Sequence, residues 1–270
     1  MINALCIDLD DFYTCLKEYG YNLSNKKIFF QEETLKLLDD LKRKKIKCSF
    51  FIPGHVFKND KNLVRYISSK GHHICSHSLN HVNISNLSDD DLEYELMKSK
   101  DMLENLINIE VNTFKAPAWS ISNNYERIYN VLSKTGYKYD HSLRPKFFSE
   151  LSNNLYLPIK YKKIWLIPPT GLNILGFKIL FCGGFYTKYF SNLLVKFFFK
   201  NINYNFPINY FFHPYEYTPS SYNKKFYKYN SVFASFYGHY LGKHKSQLEY
   251  LSKYFDFSTL KIAYKKIYDE

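Results

Sequence analysis

Short apolar runs alternate with helically spaced segments along this chain, and that alternation restricts the fold more than any other feature. The apolar runs are Ile2 to Asp11, Cys48 to Ile52, His73 to Ser76, Val111 to Ala116, Tyr137 to Asp140 and Ile208 to His213. Runs of this length, closed by Gly, Pro or polar residues, suit buried strands. Between them, Glu32 to Lys47 repeats Leu35, Leu38 and Leu41 at helical spacing, and Asn62 to Lys70 stops at Gly71. Ser88 opens a long helix whose first turn is Asp89, Asp90 and Asp91, with Leu87 and Leu92 placed as a hydrophobic staple. Asn124 to Lys134, Ser191 to Lys200 and Lys245 to Phe255 complete the helices. Strand and helix in turn predict parallel strands joined by crossover helices, an α/β fold in the form of a barrel. The stretch from Leu151 to Gly184 breaks the pattern: Pro158, Pro168, Pro169 and Gly171 punctuate β-prone runs, which predicts hairpins, with Gly183 and Gly184 in a loop. No linker or repeat divides the 270 residues, so a single domain over 1–270 is expected.

The composition narrows the function. A net charge of +12 favours anionic neighbours such as phosphate-linked sugars, lipid phosphates or an acidic polymer. No nucleic-acid-reading motif accompanies it, so nucleic acid is not an expected partner. The basic run Lys42 to Lys45 closes a helical segment, where cations suit the helix C-terminus. Five cysteines, Cys6, Cys15, Cys48, Cys75 and Cys182, include no CxxC pair, so neither a disulfide framework nor a zinc knuckle is indicated. Without a signal-like N-terminus or a membrane-length apolar run, the expected location is the cytoplasm, with room for peripheral contact at a membrane.

The chemistry-bearing residues cluster at the ends of the apolar runs, where barrel strands place catalytic groups. The opening run ends in Asp10 and Asp11, whose side chains point to opposite sides of an extended backbone. One can hold a metal while the other faces substrate or water. His77 and His81 are four apart and would face one way on a helical turn. Two imidazoles with one carboxylate leave coordination positions open, as a catalytic metal site requires. Cys75 is a further candidate ligand, although as a small apolar group at a strand end it reads as core before ligand. Three later segments follow: Lys115-Ala116-Pro117-Ala118-Trp119, Tyr139-Asp140-His141-Ser142, and His213-Pro214-Tyr215-Glu216. A histidine leaving a buried strand, as His213 does, is a candidate general acid or a core histidine with one satisfied hydrogen bond.

In this order, these segments resemble the polysaccharide deacetylases of carbohydrate esterase family four, with the NodB-homology domain, and most closely the branch found with exopolysaccharide gene clusters. The resemblance covers nearly the whole chain through Asp10-Asp11, Gly71 to His81, Lys115 to Pro117, Tyr139 to Ser142, Gly183-Gly184 and His213 to Glu216. It implies a distorted (β/α)7-type barrel and removal of an N-acetyl group from an amino sugar by a metal-dependent hydrolase. Carried over, it implies that Asp11, His77 and His81 bind a divalent metal, usually zinc. It further implies Asp10 as the base that deprotonates the attacking water, His213 as the acid that protonates the leaving amine, Ala118 N–H as an oxyanion donor, and Asp140 as the group that orients His213. Lys115 stands where the family has arginine, and would pair with the catalytic acid as a point charge instead of a fork. Asp8, on the same strand face as Asp10, would either crowd the base or act as an outer ligand. The resemblance also accommodates a glycan-binding protein that has lost catalysis, and a cyclic-amide hydrolase. The expected substrate is an N-acetylated sugar on a nucleotide or lipid phosphate, used in building a surface polysaccharide.

Overall fold

The computed structural model describes residues 1–10, 30–121, 125–144, 156–218 and 241–270. Its strands are β1 (Ile2–Asp8), β2 (Ser49–Ile52), β3 (His73–Ser76), β4 (Thr113–Phe114), β5 (Tyr139–Asp140), β6 (Ile159–Tyr161), β7 (Ile164–Leu166), β8 (Gly171–Ile174), β9 (Phe177–Leu180), β10 (Asn209–Phe212) and β11 (Asp256–Ser258). Its α-helices are α1 (Phe30–Lys44), α2 (Gly54–Asn59), α3 (Lys61–Ser69), α4 (Asp89–Ile107), α5 (Tyr125–Lys134), α6 (Gly184–Thr187), α7 (Asn192–Asn203), α8 (Pro214–Tyr217), α9 (Lys243–Leu251), α10 (Leu260–Ala263) and α11 (Lys265–Tyr268). Nine strands form one sheet in the order β10-β1-β2-β3-β4-β5-β7-β6, with β11 also on β1. All its pairings are parallel except the β6–β7 hairpin. The second hairpin, β8–β9, stands apart. The result is the expected α/β architecture, with a curled half-barrel sheet.

Local sequence accounts for most boundaries. Ser88 caps α4 by accepting from Asp91 N–H, and the three aspartates of the first turn meet the positive end of the helix dipole. α1 carries Glu32 and Glu33 at its start and Lys42, Arg43 and Lys44 at its end. Asp60 caps α3 and Ser191 caps α7. The short helix α2 is an addition to the expected turn at Pro53-Gly54. No described helix is long and apolar enough to cross a membrane.

Strand alternation sorts the core into layers. On β1, Leu5 and Ile7 face an outer cluster that includes Leu37, Leu41, Val64 and Phe212. Ala4 and Cys6 face an inner cluster with Phe51, Cys75, Tyr139, Cys182 and Phe211. The period of two then places the next inward-facing residues at the C-terminal rim of the sheet. They are Asp8 after Cys6, His77 after Cys75, His141 after Tyr139 and His213 after Phe211. Every one of these four carries a polar, titratable side chain. The inner layer is closed and apolar, so the functional groups collect at the mouth.

Candidate active site

His77 and His81 do not sit on a helix. They lie on an irregular loop after β3, in which Ser78 (φ 62°) and His81 (φ 51°) adopt left-handed backbone. The four-residue spacing therefore brings the rings together through a tight turn rather than a helical one. Glu95 of α4 holds that turn: its Oε2 accepts from Leu79 N–H (3.1 Å) and Asn80 N–H (3.0 Å), and its Oε1 accepts from the Asn80 side-chain amide. The ring centroids of His77 and His81 are 5.0 Å apart. A buried helix carboxylate thus takes the part that sequence spacing assigns to helical geometry.

The carboxylate that meets these rings is Asp10. Its Oδ2 lies 3.0 Å from His81 Nε2 and 3.7 Å from His77 Nε2. Asp10, His77 and His81 each present a ligand atom, all within 4.8 Å of one another, and all three side chains are buried. Burial disfavours charge on Asp10, but His81 and His77 outweigh it and hold the carboxyl well below its usual value. Asp10 Oδ1 is buried with no hydrogen-bond donor among the described residues. His77 Nδ1 donates to the Lys115 carbonyl at 2.6 Å, which fixes the tautomer and turns Nε2 toward Asp10. One carboxylate and two oriented imidazoles fit a divalent cation of the zinc class. Asp11, the expected ligand, lies outside the described residues. Asp10, the expected base, stands in the ligand position. Cys75 is buried in the inner core and is not part of the cluster.

Lys115 identifies a second carboxylate. Its Nζ pairs with Asp8 Oδ2, not with Asp10, and both side chains are buried. The lysine ammonium also lies 4.2 Å from the Phe211 ring centroid, 4.3 Å from Trp119 and 5.5 Å from Phe51. Three aromatic faces therefore help hold a cation that lacks the guanidinium fork. Asp8 Oδ1 is buried and has no donor among the described residues.

His213 faces both acids. Its Nε2 is 3.6 Å from Asp10 Oδ2 and 4.0 Å from Asp8 Oδ2. On the other side of the ring, Nδ1 lies 2.8 Å from Glu216 Oε2, the same oxygen that accepts from His213 N–H at 3.1 Å. Burial works against a proton on His213, but Glu216, with Asp10 and Asp8, outweighs it and raises the imidazole above its ordinary value. The expected orienting group, Asp140, is elsewhere. It neighbours inward-facing His141 on the chain, so its side chain points to the opposite face of the sheet. There it accepts from Tyr129 Oη of α5, from Ser142 N–H and from Ser142 Oγ–H. Ser142 Oγ in turn accepts from Ala116 N–H at 2.7 Å, so Asp140 braces the Ala116-Pro117-Ala118 turn. Ala118 and Trp119 are both left-handed (φ 50° and 55°), and Ala118 is exposed at the rim.

Sequence reasoning did not single out His141, although the alternation from Tyr139 would have found it. His141 stacks on Phe51 (centroids 5.9 Å, planes 11° apart), and its Nδ1 donates to the Ile167 carbonyl. Burial, reinforced by Lys115, lowers its pKa to about 4, so the ring is neutral at pH 7.

Burial pushes the Asp140 carboxyl up to about 6, against the pull of its Ser142 and Tyr129 hydrogen bonds. A carboxyl raised in the folded state favours folding most below its unfolded value near 4, and that advantage is lost as pH rises through the folded value. Asp140→Asn is therefore expected to gain stability relative to the parent as pH goes from 4.5 to 7, by about 2 kcal/mol. Urea unfolding at the two pH values checks this; an equal difference at both would refute it.

Residues 11–139 match the family described as Polysaccharide deacetylase, and residues 140–265 match a domain of unknown function, DUF3473. A peptidoglycan deacetylase of Helicobacter pylori is 28% identical over 151 residues, covering 54% of this chain and 50% of that protein. A peptidoglycan-N-acetylglucosamine deacetylase of Bacillus cereus is 29% identical over 93 residues, covering 34% of each. The chain thus spans half or less of the length of these curated relatives. Among solved structures, a Mycobacterium smegmatis protein described as a polysaccharide deacetylase aligns with a TM-score of 0.61 at 13% identity, over 98% of this chain and 89% of that one. A carbohydrate esterase family four pseudoenzyme from Bacillus anthracis aligns at 0.52 and 14% identity, over 97% and 64%. These two likenesses establish the fold alone. Over residues 11–139, just under half of its length, the chain is similar to the polysaccharide deacetylase family.

Proposed function

We propose that this protein is a metal-dependent N-deacetylase of an amino sugar, with Asp10, His77 and His81 as metal ligands and Asp8 as the general base. The observation that carries the reading is the convergence of three features: the buried ligand cluster, the Lys115-held Asp8, and His213 Nε2 within 4.0 Å of both acids. A divalent ion held there, zinc by the character of its donors, would supply Lewis acidity to water and to the acetyl carbonyl. Asp8 takes the proton from the attacking water. Ala118 N–H, at the rim, donates to the oxygen that becomes negative. His213 Nε2 gives its proton to the departing amine as the C–N bond breaks, leaving acetate and a free amino sugar.

The net charge of +12 supports a substrate whose sugar is carried on a nucleotide or lipid phosphate, as in the assembly of a surface polysaccharide. The carriage of strands from both matched regions in one sheet supports reading 1–270 as a single domain. The test combines elemental analysis of the purified protein with acetate release from N-acetylglucosamine oligomers and from a nucleotide-linked N-acetyl sugar. We expect bound divalent metal, turnover sensitive to chelator, and preference for the phosphate-linked sugar. Absence of metal together with no turnover on either substrate would refute the reading; preference for the neutral oligomer would refute the phosphate linkage.

A further inference from the structure

The Gly183-Gly184 pair and Glu216 have no part in the chemistry described so far, yet the fold joins them. Gly183 (φ 109°) and Gly184 (φ 52°) turn the chain against β10, where Gly183 pairs with Phe211. A Cβ on Gly183 would overlap the Phe211 carbonyl, and one on Gly184 would press on the Phe211 ring. Only glycine allows this approach with these dihedrals. The turn leads into α6, and the residue that follows α6 is Lys188, whose side chain is wholly buried. Its Nζ lies 3.7 Å from Glu216 Oε1. The two oxygens of Glu216 are thereby divided: Oε1 faces Lys188, and Oε2 holds both the N–H and the Nδ1 of His213. His244 borders the same region, with Nε2 on the Gly184 carbonyl at 2.9 Å and Nδ1 on Tyr210 Oη at 2.7 Å.

We propose that Lys188 and Glu216 are positioning residues that set the ring orientation and tautomer of His213, and that the Gly-Gly turn exists to deliver Lys188 beneath Glu216. A buried carboxylate needs a counter-charge to stay ionised. With Lys188 supplying it, Glu216 remains an acceptor and keeps a proton on Nδ1. Nε2 is then the ring nitrogen presented to the reacting groups. The effect of Lys188 and Glu216 passes through one imidazole, in the manner of a carboxylate that orients a catalytic histidine.

The kinetic consequence rests on the proposed deacetylase reading; the positioning itself does not. The experiment uses the full, zinc-loaded chain with 15N-labelled histidine, and the variants Glu216→Gln, Lys188→Met, Lys188→Arg and the double Glu216→Gln/Lys188→Met. We expect Glu216→Gln and Lys188→Met each to lower kcat by about 10²-fold with KM within about twofold, and Lys188→Arg to restore most of it. The double variant is expected to match Glu216→Gln alone, because the proposed effect of Lys188 on His213 runs through Glu216. It also removes both charges together, so it keeps the test valid should Lys188→Met fail to fold. The hydrogen-bonded Nδ1–H resonance of His213, assigned by its loss in His213→Gln, should shift in Glu216→Gln and in the double variant and persist in Lys188→Arg. Additive losses in the double variant, or an unmoved resonance in Glu216→Gln, would overturn the positioning. If the parent protein releases no acetate, the deacetylase reading fails separately, and the resonance alone decides this one.

Discussion

Asp8→Asn is expected to cut acetate release by about 10²–10⁴-fold while the protein still binds its metal, the range spanned by losing a positioned general base. Asp10→Asn is expected to abolish activity by a different route, releasing the metal itself. The two acids are two residues apart, Asp8 at the end of β1 and Asp10 just beyond it, and both are buried. Their surroundings separate them. Asp8 gives one oxygen to Lys115 and keeps Oδ1 without a donor among the described residues, an atom suited to receiving a proton. Asp10 sits among imidazole nitrogens that point at it, where an amide would offer a weaker and neutral ligand. Metal titration of the two variants by calorimetry, beside acetate release from the same preparations, distinguishes the roles. If Asp8→Asn loses the metal and Asp10→Asn keeps it, the assignment is reversed.

Lys115→Met is expected to destabilise the fold by about 3–5 kcal/mol, because it leaves Asp8 as an uncompensated buried charge. At about 2–4 °C per kcal/mol for a chain near this size, the melting temperature should fall by on the order of 10 °C. The methionine fills the space between Phe211, Trp119 and Phe51, so the loss reports on charge more than on a cavity. Adding Asp8→Asn should return most of the lost stability, since the pair is then neutral on both sides. Lys115→Arg should fold, because it restores the charge. Thermal unfolding of the three variants checks this. A Lys115→Met protein as stable as the parent would show that the pair does not hold the rim together.

These expectations also mark where local sequence stops being informative. The caps Ser88, Asp60 and Ser191, the dipole-matched ends of α1, and the alternation of strand and helix are all interactions within a few residues, so they were legible in the chain. So were the residues that reach the mouth, because each follows an inward core residue by two: Asp8, His77 and His213 share a face with Cys6, Cys75 and Phe211. The helical reading of His77 and His81 did not hold, because spacing alone cannot distinguish a helical turn from a left-handed loop held by Glu95 from another element. Asp140 was misplaced for the converse reason. Its neighbours in the motif are rim residues, yet adjacency on a strand sends it to the other face.

The alternation of strand and helix, the Ser88 cap and most of the titratable groups at the site follow from the sequence by itself, because backbone periodicity and local hydrogen bonding act over short separations. The division of labour among those groups was decided only by tertiary structure. Whether Asp8 or Asp10 meets the imidazoles depends on partners far along the chain, and the lysine that faces Glu216 is brought there by a turn at Gly183-Gly184. Charges choose their partners by distance through a low-dielectric interior, and that distance is set by how the strands pack rather than by their order along the chain.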